Sequence, residues 1–182
     1  MAVRQGGAEH PLPRLTASDL RWQPMTGADL DGVVAVAAEA FPNHPEERAC
    51  FANRLALYPQ GCKVLADDAG WVAGYLVSYP WMMDAAPPLN VLLPGLPEAP
   101  EVYYLHDLAL ASSARGGGHA AAGAALAVQA ARDAGLPVVS LTAVNDAAPF
   151  WARQGFVPRP SPGMAAKLAS YGEDAVYMIR PV

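Results

Sequence analysis

Apolar positions recur along this chain at two periods, two residues for strands and three to four for helices. Cys62 to Ala66 and Trp71 to Tyr79 are apolar runs joined by the turn residues Asp67 to Gly70, and they predict a β-hairpin. Val102 to Leu110 predicts a further strand. The uninterrupted apolar run Val138 to Val144 predicts a strand that is buried on both faces.

The helices are marked by their ends. Thr26 can cap a helix over residues 28–41, and Pro45-Glu46-Glu47 predicts the first turn of a second helix. A third, alanine-rich helix runs from about Gly118 to Ala134 and stops at Gly135. The remaining elements are strands at 20–25, 155–157 and 175–180 and a short helix at 145–153.

The order of these elements indicates the fold class. A hairpin meander is followed by strand–helix–strand–helix, which predicts an α/β domain with a mixed central sheet of about seven strands and about four helices. With 182 residues, 53% of them hydrophobic, the chain can bury the core of one domain. We expect that domain over residues 20–182, after a loose leader over residues 1–19 that has little to bury.

Charge and composition argue against several classes of partner. The chain carries 12 Lys and Arg against 17 Asp and Glu and has no basic run, so we expect no nucleic-acid binding and a mild preference for a cationic substrate. No apolar run approaches the ~20 residues of a membrane span, and residues 1–13 contain no signal-peptide core. Cys50, Cys62, His10 and His44 fit no metal or redox spacing, so we expect a cytoplasmic protein without a metal.

Residues 84–100 are rich in proline and yet carry five apolar residues, Leu89, Val91, Leu92, Leu93 and Leu96. An apolar loop of this length is more often functional than neutral. A lid over a pocket and a contact within a homodimer are both consistent with it, and the pattern does not separate them.

A glycine cluster opens the alanine-rich helix. It reads Arg115-Gly116-Gly117-Gly118-His119-Ala120 and follows the strand that ends at Leu110. Backbone N–H groups at a helix start lack helical partners, and glycine lets an anion approach them closely. Together with the positive end of the helix dipole, these donors predict a site for a phosphate or pyrophosphate.

Two phosphate ligands fit the cluster poorly. A nucleoside-triphosphate loop needs a Lys-Ser or Lys-Thr pair, and the chain contains neither. Gly116-x-Gly118-x-x-Ala121 does satisfy a dinucleotide fingerprint, but Ala111 to Arg115 separate it from the strand and the unit starts past residue 100. An oxidoreductase is therefore the third-ranked function.

Arg115-x-x-Gly118-x-Ala120 resembles the R/Q-x-x-G-x-G/A signature of the GNAT superfamily of acetyl-CoA-dependent N-acetyltransferases. Leu108-Ala109-Leu110 is similar to the L-A-V strand segment of that family. Phe150-Trp151-Ala152-Arg153-Gln154-Gly155-Phe156 resembles its F-[YW]-x-x-x-G-F segment, and the order of elements from Leu20 to Arg180 is also the family's. The resemblance implies a GNAT-type domain whose sheet splays beside the strand of His106 and opens a cleft for CoA.

The resemblance implies a role for backbone groups on both sides of the cleft. Residues Arg115, Gly116, Gly117, Gly118, His119 and Ala120 would hold the pyrophosphate of CoA, with Ala121 as an addition. Leu108, Ala109 and Leu110 would bond the pantetheine arm and the acetyl carbonyl, and their amides would stabilise the oxyanion of acyl transfer. Asn145, Phe150 and Trp151 would also contact CoA, although Asn145 is equally suited to cap the helix that follows it.

His106 is the candidate base. A period of two places Tyr104, His106, Leu108 and Leu110 on one face of the strand unless a bulge intervenes, and it turns Asp107 to the other face. An imidazole with a reference pKa of ~6.5 can take the proton of an alkylammonium. Leu105-His106-Asp107-Leu108-Ala109-Leu110 is similar to L-H-A-L-A-V of serotonin N-acetyltransferase, in which the histidine helps to deprotonate the amine and a second histidine stands where Tyr104 does here. The alternative for His106 is an ordinary buried histidine.

The proton donor to the departing CoA thiolate has no assigned residue. In relatives a tyrosine supplies this proton, and its position is Trp151 here. Tyr171 and Tyr104 are the substitutes, although a thiolate of pKa ~8.5 can leave without a strong acid.

The function that these observations predict is transfer of the acetyl group of acetyl-CoA to an amine, with a small-molecule primary amine as the first choice. A protein N-terminus or lysine is an alternative acceptor. A non-catalytic acyl-CoA-binding or regulatory module is the rival function, supported by Trp151. Acceptor contacts are expected from residues 28–59, 80–100 and 160–174.

Overall fold

The computed structural model describes residues 19–182, so the expected leader lies outside the described residues except for Asp19. In this range the chain forms seven strands and five α-helices. The strands are β1 (Arg21–Pro24), β2 (Cys62–Ala66), β3 (Val72–Trp81), β4 (Val102–Leu110), β5 (Val138–Ala143), β6 (Val157–Pro158) and β7 (Val176–Pro181). The helices are α1 (Leu30–Ala40), α2 (Arg48–Leu57), α3 (His119–Asp133), α4 (Ala148–Arg153) and α5 (Ala165–Tyr171).

All seven strands form one sheet in the order β1-β2-β3-β4-β5-β7-β6. Every neighbouring pair is antiparallel except β4 and β5, which are parallel. Those two strands pair only at Tyr103 with Val139 and Tyr104 with Ser140. They part beyond Tyr104, which confirms the expected splay of the sheet and leaves the rest of β4 with a free edge.

Helices cover both faces of the sheet. On one face α1, α2 and α5 pack on a layer of tyrosines that includes Tyr75, Tyr79, Tyr104 and Tyr177. On the other face α3 and α4 pack on Leu76, Tyr103, Leu105, Val139 and Leu141. None of the helices in residues 19–182 is long and apolar enough to cross a membrane.

The ends of α1 and α3 are built as the sequence predicts. The Thr26 amide donates to Asp29 Oδ2 at 2.8 Å, which closes a capping box at a 3-10 turn that leads into α1. Helix α3 starts after Gly118, whose φ is +78°, and ends before Gly135, whose φ is +70°. Both glycines hold backbone conformations that residues with a Cβ rarely adopt.

Three sequence predictions are wrong. Pro45, Glu46 and Glu47 precede α2, which starts at Arg48 after an extended Glu47. Asn145 does not cap α4, because the capping residue is Ala147 and Asn145 lies in a turn at φ +54°. Helix α5 falls in a stretch predicted as loop; it has only seven residues, so it shows too few turns for a helical period to be visible.

Candidate active site

A β-bulge in β4 shapes the centre of the molecule. Val77 pairs with Asp107 and Ser78 pairs with Leu105, so His106 has no partner on β3. An extra residue of this kind interrupts the alternation of side chains along a strand. His106 and Asp107 therefore both project towards the tyrosine layer, where each of them contacts a tyrosine.

The bulge corrects two expectations about side-chain direction. Asp107 was expected to point away from His106, but its Oδ2 accepts a hydrogen bond from the Tyr75 hydroxyl at 3.0 Å on the same face. Leu108 and Leu110 were expected to share a face with His106, but Leu108 packs beside Gly123 of α3 and Leu110 joins a cluster with Ala114. Because β-strand alternation restarts after the bulge, every side chain beyond it changes face.

His106 is held by two partners. Its Nε2 lies 2.8 Å from Oε1 of Glu46, and its Nδ1 lies 3.3 Å from the hydroxyl of Tyr79. The side chains of His106 and Glu46 are only 4% and 5% exposed. Sequence reasoning missed Glu46, because Pro45-Glu46-Glu47 has the composition of a helix start and Glu46 instead turns inward from the link before α2.

Burial and neighbouring charges compete in setting the pKa values of this cluster. Burial disfavours a charged imidazole, but Asp107 and Glu46 outweigh it and raise the pKa of His106 above its ordinary value. Burial also opposes the charge on Glu46, yet His106 and the Asn90 amide lower the pKa of that carboxyl. Burial raises the pKa of Asp107 to about 6. The raised pKa of His106 and the lowered pKa of Glu46 both favour a Glu46–His106 ion pair.

The same cluster contains three side chains of the kinds that bind metal ions. Ligand atoms of Glu46, His106 and Asp107 lie within 4.8 Å of one another. However, Glu46 Oε1 and His106 Nε2 are already bonded to each other, and the buried guanidinium of Arg54 acts on both carboxylates. Two cationic and two anionic side chains balance each other here, so the geometry fits an ion-pair cluster.

A cavity of about 90 Å³ opens onto His106. Its polar wall includes Glu46, His106, Asp107, Thr142 and His44, and its apolar wall includes Phe41, Leu89, Leu108, Val144, Trp151 and Tyr171. His44, which the sequence placed at no site, donates from Nε2 to the carbonyl of Tyr171. The acceptor segments expected from the sequence thus contribute residues to one enclosed space.

A second cavity of about 260 Å³ lies between β4 and the start of α4. Its wall includes Leu108, Ala109, Leu110, Arg115, Ala120, Asn145 and Phe150. The two cavities share Phe41, Leu108, Val144, Ala147 and Trp151, so they meet in the gap between β4 and β5. Most of the residues predicted to contact CoA therefore line one cavity, although the sequence separates some of them by more than thirty positions.

Arg115 and Ala120, which flank the glycines of the cluster, line the second cavity, whereas residues 116–119 are not in its wall. Gly116 and Gly118 have φ values of +84° and +78°, and no atom approaches within 4 Å of the place where a Cβ would stand. Within residues 19–182 the amides of Gly118, Ala120 and Ala121 have no acceptor. Arg115 Nη2 reaches the carbonyl of Leu110 at 3.4 Å. The loop is thus an open set of N–H donors beside one guanidinium.

Backbone amides of β4 face the gap between the strands. The Ala111 amide donates to Ala73 of β3 at 2.7 Å. Because alternate amides along a strand point the same way, Ala109 also points to β3, and the amides of Leu108 and Leu110 point to the unpaired edge. Two N–H donors are therefore presented where the cavities meet.

The hydroxyls considered as proton donors both have partners. Tyr104 shares a hydrogen bond of 3.1 Å with Thr142 Oγ1, and the Tyr171 hydroxyl donates to the carbonyl of Pro87. Burial raises the pKa of both tyrosines. Trp151 is 7% exposed and lies in the walls of both cavities, and its indole carries no hydroxyl.

The sequence matches the model of the acetyltransferase (GNAT) family over residues 21–156. No curated protein matches the sequence. Solved structures share the fold at low identity, which carries no information on the substrate of this chain.

Three solved structures illustrate the likeness. Ard1 from Thermoplasma volcanium is 17% identical, with a TM-score of 0.67 over 90% of this chain and 98% of that one. The GNAT family N-acetyltransferase YhbS from Escherichia coli, solved with CoA, is 19% identical, with a TM-score of 0.56 over 95% and 85%. The GNAT-like decarboxylase GphF, solved with isobutyryl-CoA, is 17% identical, with a TM-score of 0.71 over 88% and 98%. Because the family match covers more than half of its 182 residues, this chain belongs to the acetyltransferase (GNAT) family, whose members are acyltransferases.

Proposed function

We propose that this protein transfers the acetyl group of acetyl-CoA directly to a small primary amine. The observation that carries the proposal is the meeting of two cavities at the free edge of β4. One cavity lies beside a set of unpaired N–H donors, and the other lies beside a buried His–Glu pair. A thioester and an amine can be brought together at that junction, which supplies much of the rate through proximity.

The CoA end of the proposal rests on the second cavity. The amides around Gly118 and the dipole of α3 suit the pyrophosphate, and Arg115 adds a positive charge. Leu108, Ala109 and Leu110 line the path from that loop to the junction, with Asn145 and Phe150 in the opposite wall. The position often basic in relatives is Gly117 here, so binding depends on amides and on Arg115 and is expected to weaken with salt.

The amides of Leu108 and Leu110 are suited to stabilise the charge that develops during acyl transfer. The nitrogen of the amine bonds to the thioester carbonyl carbon, the carbonyl oxygen becomes negative, and the C–S bond then breaks to release the CoA thiolate. Preorganised N–H donors at the position of that oxygen are worth several kcal/mol in enzymes of acyl transfer, about 2.7–4 kcal/mol for one donor.

His106 is the proposed base. It takes the proton that the amine loses, directly or through water, and the carboxylate of Glu46 stabilises the imidazolium that forms. An imidazole with a raised pKa is the stronger base, and it works only after it has released its resting proton. The two tyrosines considered as donors to the thiolate, Tyr171 and Tyr104, each have a hydrogen-bond partner already. We therefore propose that the thiolate leaves without a proton from either of them.

The charge and size of the first cavity support a small cationic acceptor. When His106 is neutral, as the base must be, Glu46 and Asp107 outnumber Arg54, and the remaining negative charge attracts an ammonium group. The apolar wall from Phe41 to Trp151 suits a hydrophobic body. Leu89 and Tyr171 close this space from two segments, which favours a small molecule over a protein lysine or N-terminus.

The experiment that tests the function is release of free CoA thiol from acetyl-CoA in the presence of a panel of small primary amines. We expect turnover with at least one amine that carries an apolar body. His106→Ala should lose turnover by about 10²-fold or more while it keeps its affinity for acetyl-CoA. Binding of acetyl-CoA without turnover on any amine would favour the non-catalytic acyl-CoA-binding module.

A further inference from the structure

Asn90 bonds to three groups around the start of α2. Its side-chain Oδ1 accepts from the backbone amide of Glu47 at 2.8 Å and from the thiol of Cys50 at 3.6 Å. Its backbone amide donates to Oε2 of Glu46 at 3.2 Å. Its φ of +54° is in the left-handed region, which asparagine tolerates better than most residues. Asn90 thus caps the amide before α2 with its side chain and holds the Glu46 carboxylate with its backbone.

The chain around Asn90 is fastened to the same helix at two further points. Asn53 exchanges two hydrogen bonds with the backbone of Leu93, at 2.9 and 3.0 Å. Arg54, which is 2% exposed, donates from Nη1 to the carbonyl of Val91 at 2.6 Å. Leu93 is buried, and Leu89 lines the cavity beside His106. Leu89 and Leu93 therefore pack against their own chain beside the active site, while Asn90, Val91 and Leu92 are exposed.

We propose that Asn90 is a positioning residue for proton transfer, which acts by holding Glu46 against His106. This inference rests on the proposed function only in the role that it gives to His106. Glu46 lies on an irregular link between α1 and α2, where no helical or strand bond fixes its backbone. Its carboxylate is fixed instead by two bonds, one to His106 Nε2 and one from the amide of Asn90.

The surroundings of His106 make it sensitive to the position of Glu46. The groups that face it are Tyr79 on β3, Tyr104 and Asp107 on β4, Glu46 on the link, and Arg54 on α2. Of these, Glu46 and Asp107 favour the protonated imidazole, while burial and Arg54 oppose it. If Glu46 moves away, only Asp107 still favours the protonated imidazole, while burial and the guanidinium of Arg54 continue to oppose it. The pKa of His106 then falls.

The test is a direct titration of His106 by NMR, which needs no acceptor amine. The chain has four histidines, so the His106 signal is assigned by its loss in His106→Gln. Asn90→Gly keeps the left-handed backbone and the backbone amide that bonds Glu46. It removes the side-chain bonds to Glu47 and Cys50 that hold this amide in place. We expect it to lower the pKa of His106 by roughly half a unit to one unit, and Glu46→Gln to lower it further.

Two further variants decide whether Asn90 acts through Glu46. In the Glu46→Gln background, Asn90→Gly should cause no additional shift, because the group that it positions is already altered. Leu93→Ala loosens the same segment at its buried anchor and leaves the polar side chains around His106 in place, so it should leave the His106 titration where it is. Thermal unfolding of each variant confirms that the comparison is made between folded proteins.

Some outcomes would overturn the inference. An unchanged His106 titration in Asn90→Gly, an equal shift with and without Glu46→Gln, or an equal shift in Leu93→Ala would each do so. Failure of the protein to acetylate any amine would contradict the proposed function and would leave this titration result intact, so the two failures are distinguishable.

Discussion

Glu46 and His106 are 60 residues apart in the chain, and Oε1 of the first lies 2.8 Å from Nε2 of the second. The contact joins the link before α2 to the bulged residue of β4, on the face where the tyrosine layer packs. A bulge that turns His106 and Asp107 to one side and a link that turns Glu46 inward together create a buried charge cluster. The proposed proton transfer depends on this cluster.

Replacing Glu46 should move the pH dependence of turnover. Activity requires neutral His106, so it is lost as the pH falls below the raised folded-state pKa of that residue. Glu46→Gln removes one of the two carboxylates that raise this pKa, and the acidic limb of kcat/KM should move to lower pH by about one unit. A pH–rate profile of the variant checks this. A limb that stays in place would show that His106 is not the titrating base.

The Glu46–His106 pair should also make the free energy of unfolding depend on pH. Because the pKa of His106 is raised in the folded state, His106 stabilises the fold at pH values below its unfolded-state pKa of 6.5. This stabilisation is lost as the pH rises through the folded-state pKa. The lowered pKa of Glu46 stabilises the fold above its unfolded value of 4.5 and this is lost as the pH falls through the folded value. Urea unfolding should therefore show that Glu46→Gln lowers the free energy of unfolding most, by on the order of 1 kcal/mol, at pH values between 4.5 and 6.5. An equal cost at pH 8.5 would argue against an ion pair.

A matched pair of glycine substitutions should separate the effect of backbone strain on stability from the effect on acetyl-CoA binding. Gly116→Ala places a Cβ at φ +84° in the open space where a phosphate is proposed, and it should weaken binding of acetyl-CoA about tenfold or more. Gly70→Ala is the matched control, because Gly70 has φ +86°, the same open surroundings, and a position in the β2–β3 turn. Calorimetry should find that both variants lose similar stability and that only the first loses affinity. Equal affinity for acetyl-CoA in the two variants would show that this loop does not bind the phosphate.

The two candidate tyrosines should prove dispensable for chemistry. A residue that acts as general acid contributes about 10²–10⁴ to the rate. Tyr104 and Tyr171 already bond to Thr142 and Pro87, and burial raises the pKa of both. Tyr104→Phe and Tyr171→Phe should each lower kcat by less than about tenfold, in steady-state assays at saturating acetyl-CoA. A loss of 10²-fold in either variant would identify that tyrosine as the proton donor.

Most of the fold could be predicted from the sequence, because the residue patterns that mark its strands and helix ends are local. Strands β2 to β5 and the ends of α3 follow from apolar runs, turn residues and glycine stops within a few positions of one another. The bulge at His106 depends on the register that β3 imposes, and no local pattern in Leu105-His106-Asp107-Leu108 marks it. Asp107 and the leucines beyond it were therefore assigned to the wrong faces.

Long-range contacts account for the rest of what the sequence did not show. Glu46 has the surroundings of a helix start, and only the approach of β4 and Asn90 turns it inward. The cavity role of His44 likewise depends on α5, which the sequence did not predict. The residues proposed for CoA were easier to find, because most of them lie in two continuous stretches, 108–110 and 115–120.

The measurement that tests the central claim most directly is a calorimetric titration of the purified protein with acetyl-CoA, with NADH as the control ligand. The account predicts saturable binding of acetyl-CoA at one site, weaker binding in Gly116→Ala, and no binding of NADH. Absence of acetyl-CoA binding, or binding of NADH in its place, would contradict the assignment of the cleft between β4 and β5 to an acyl-CoA.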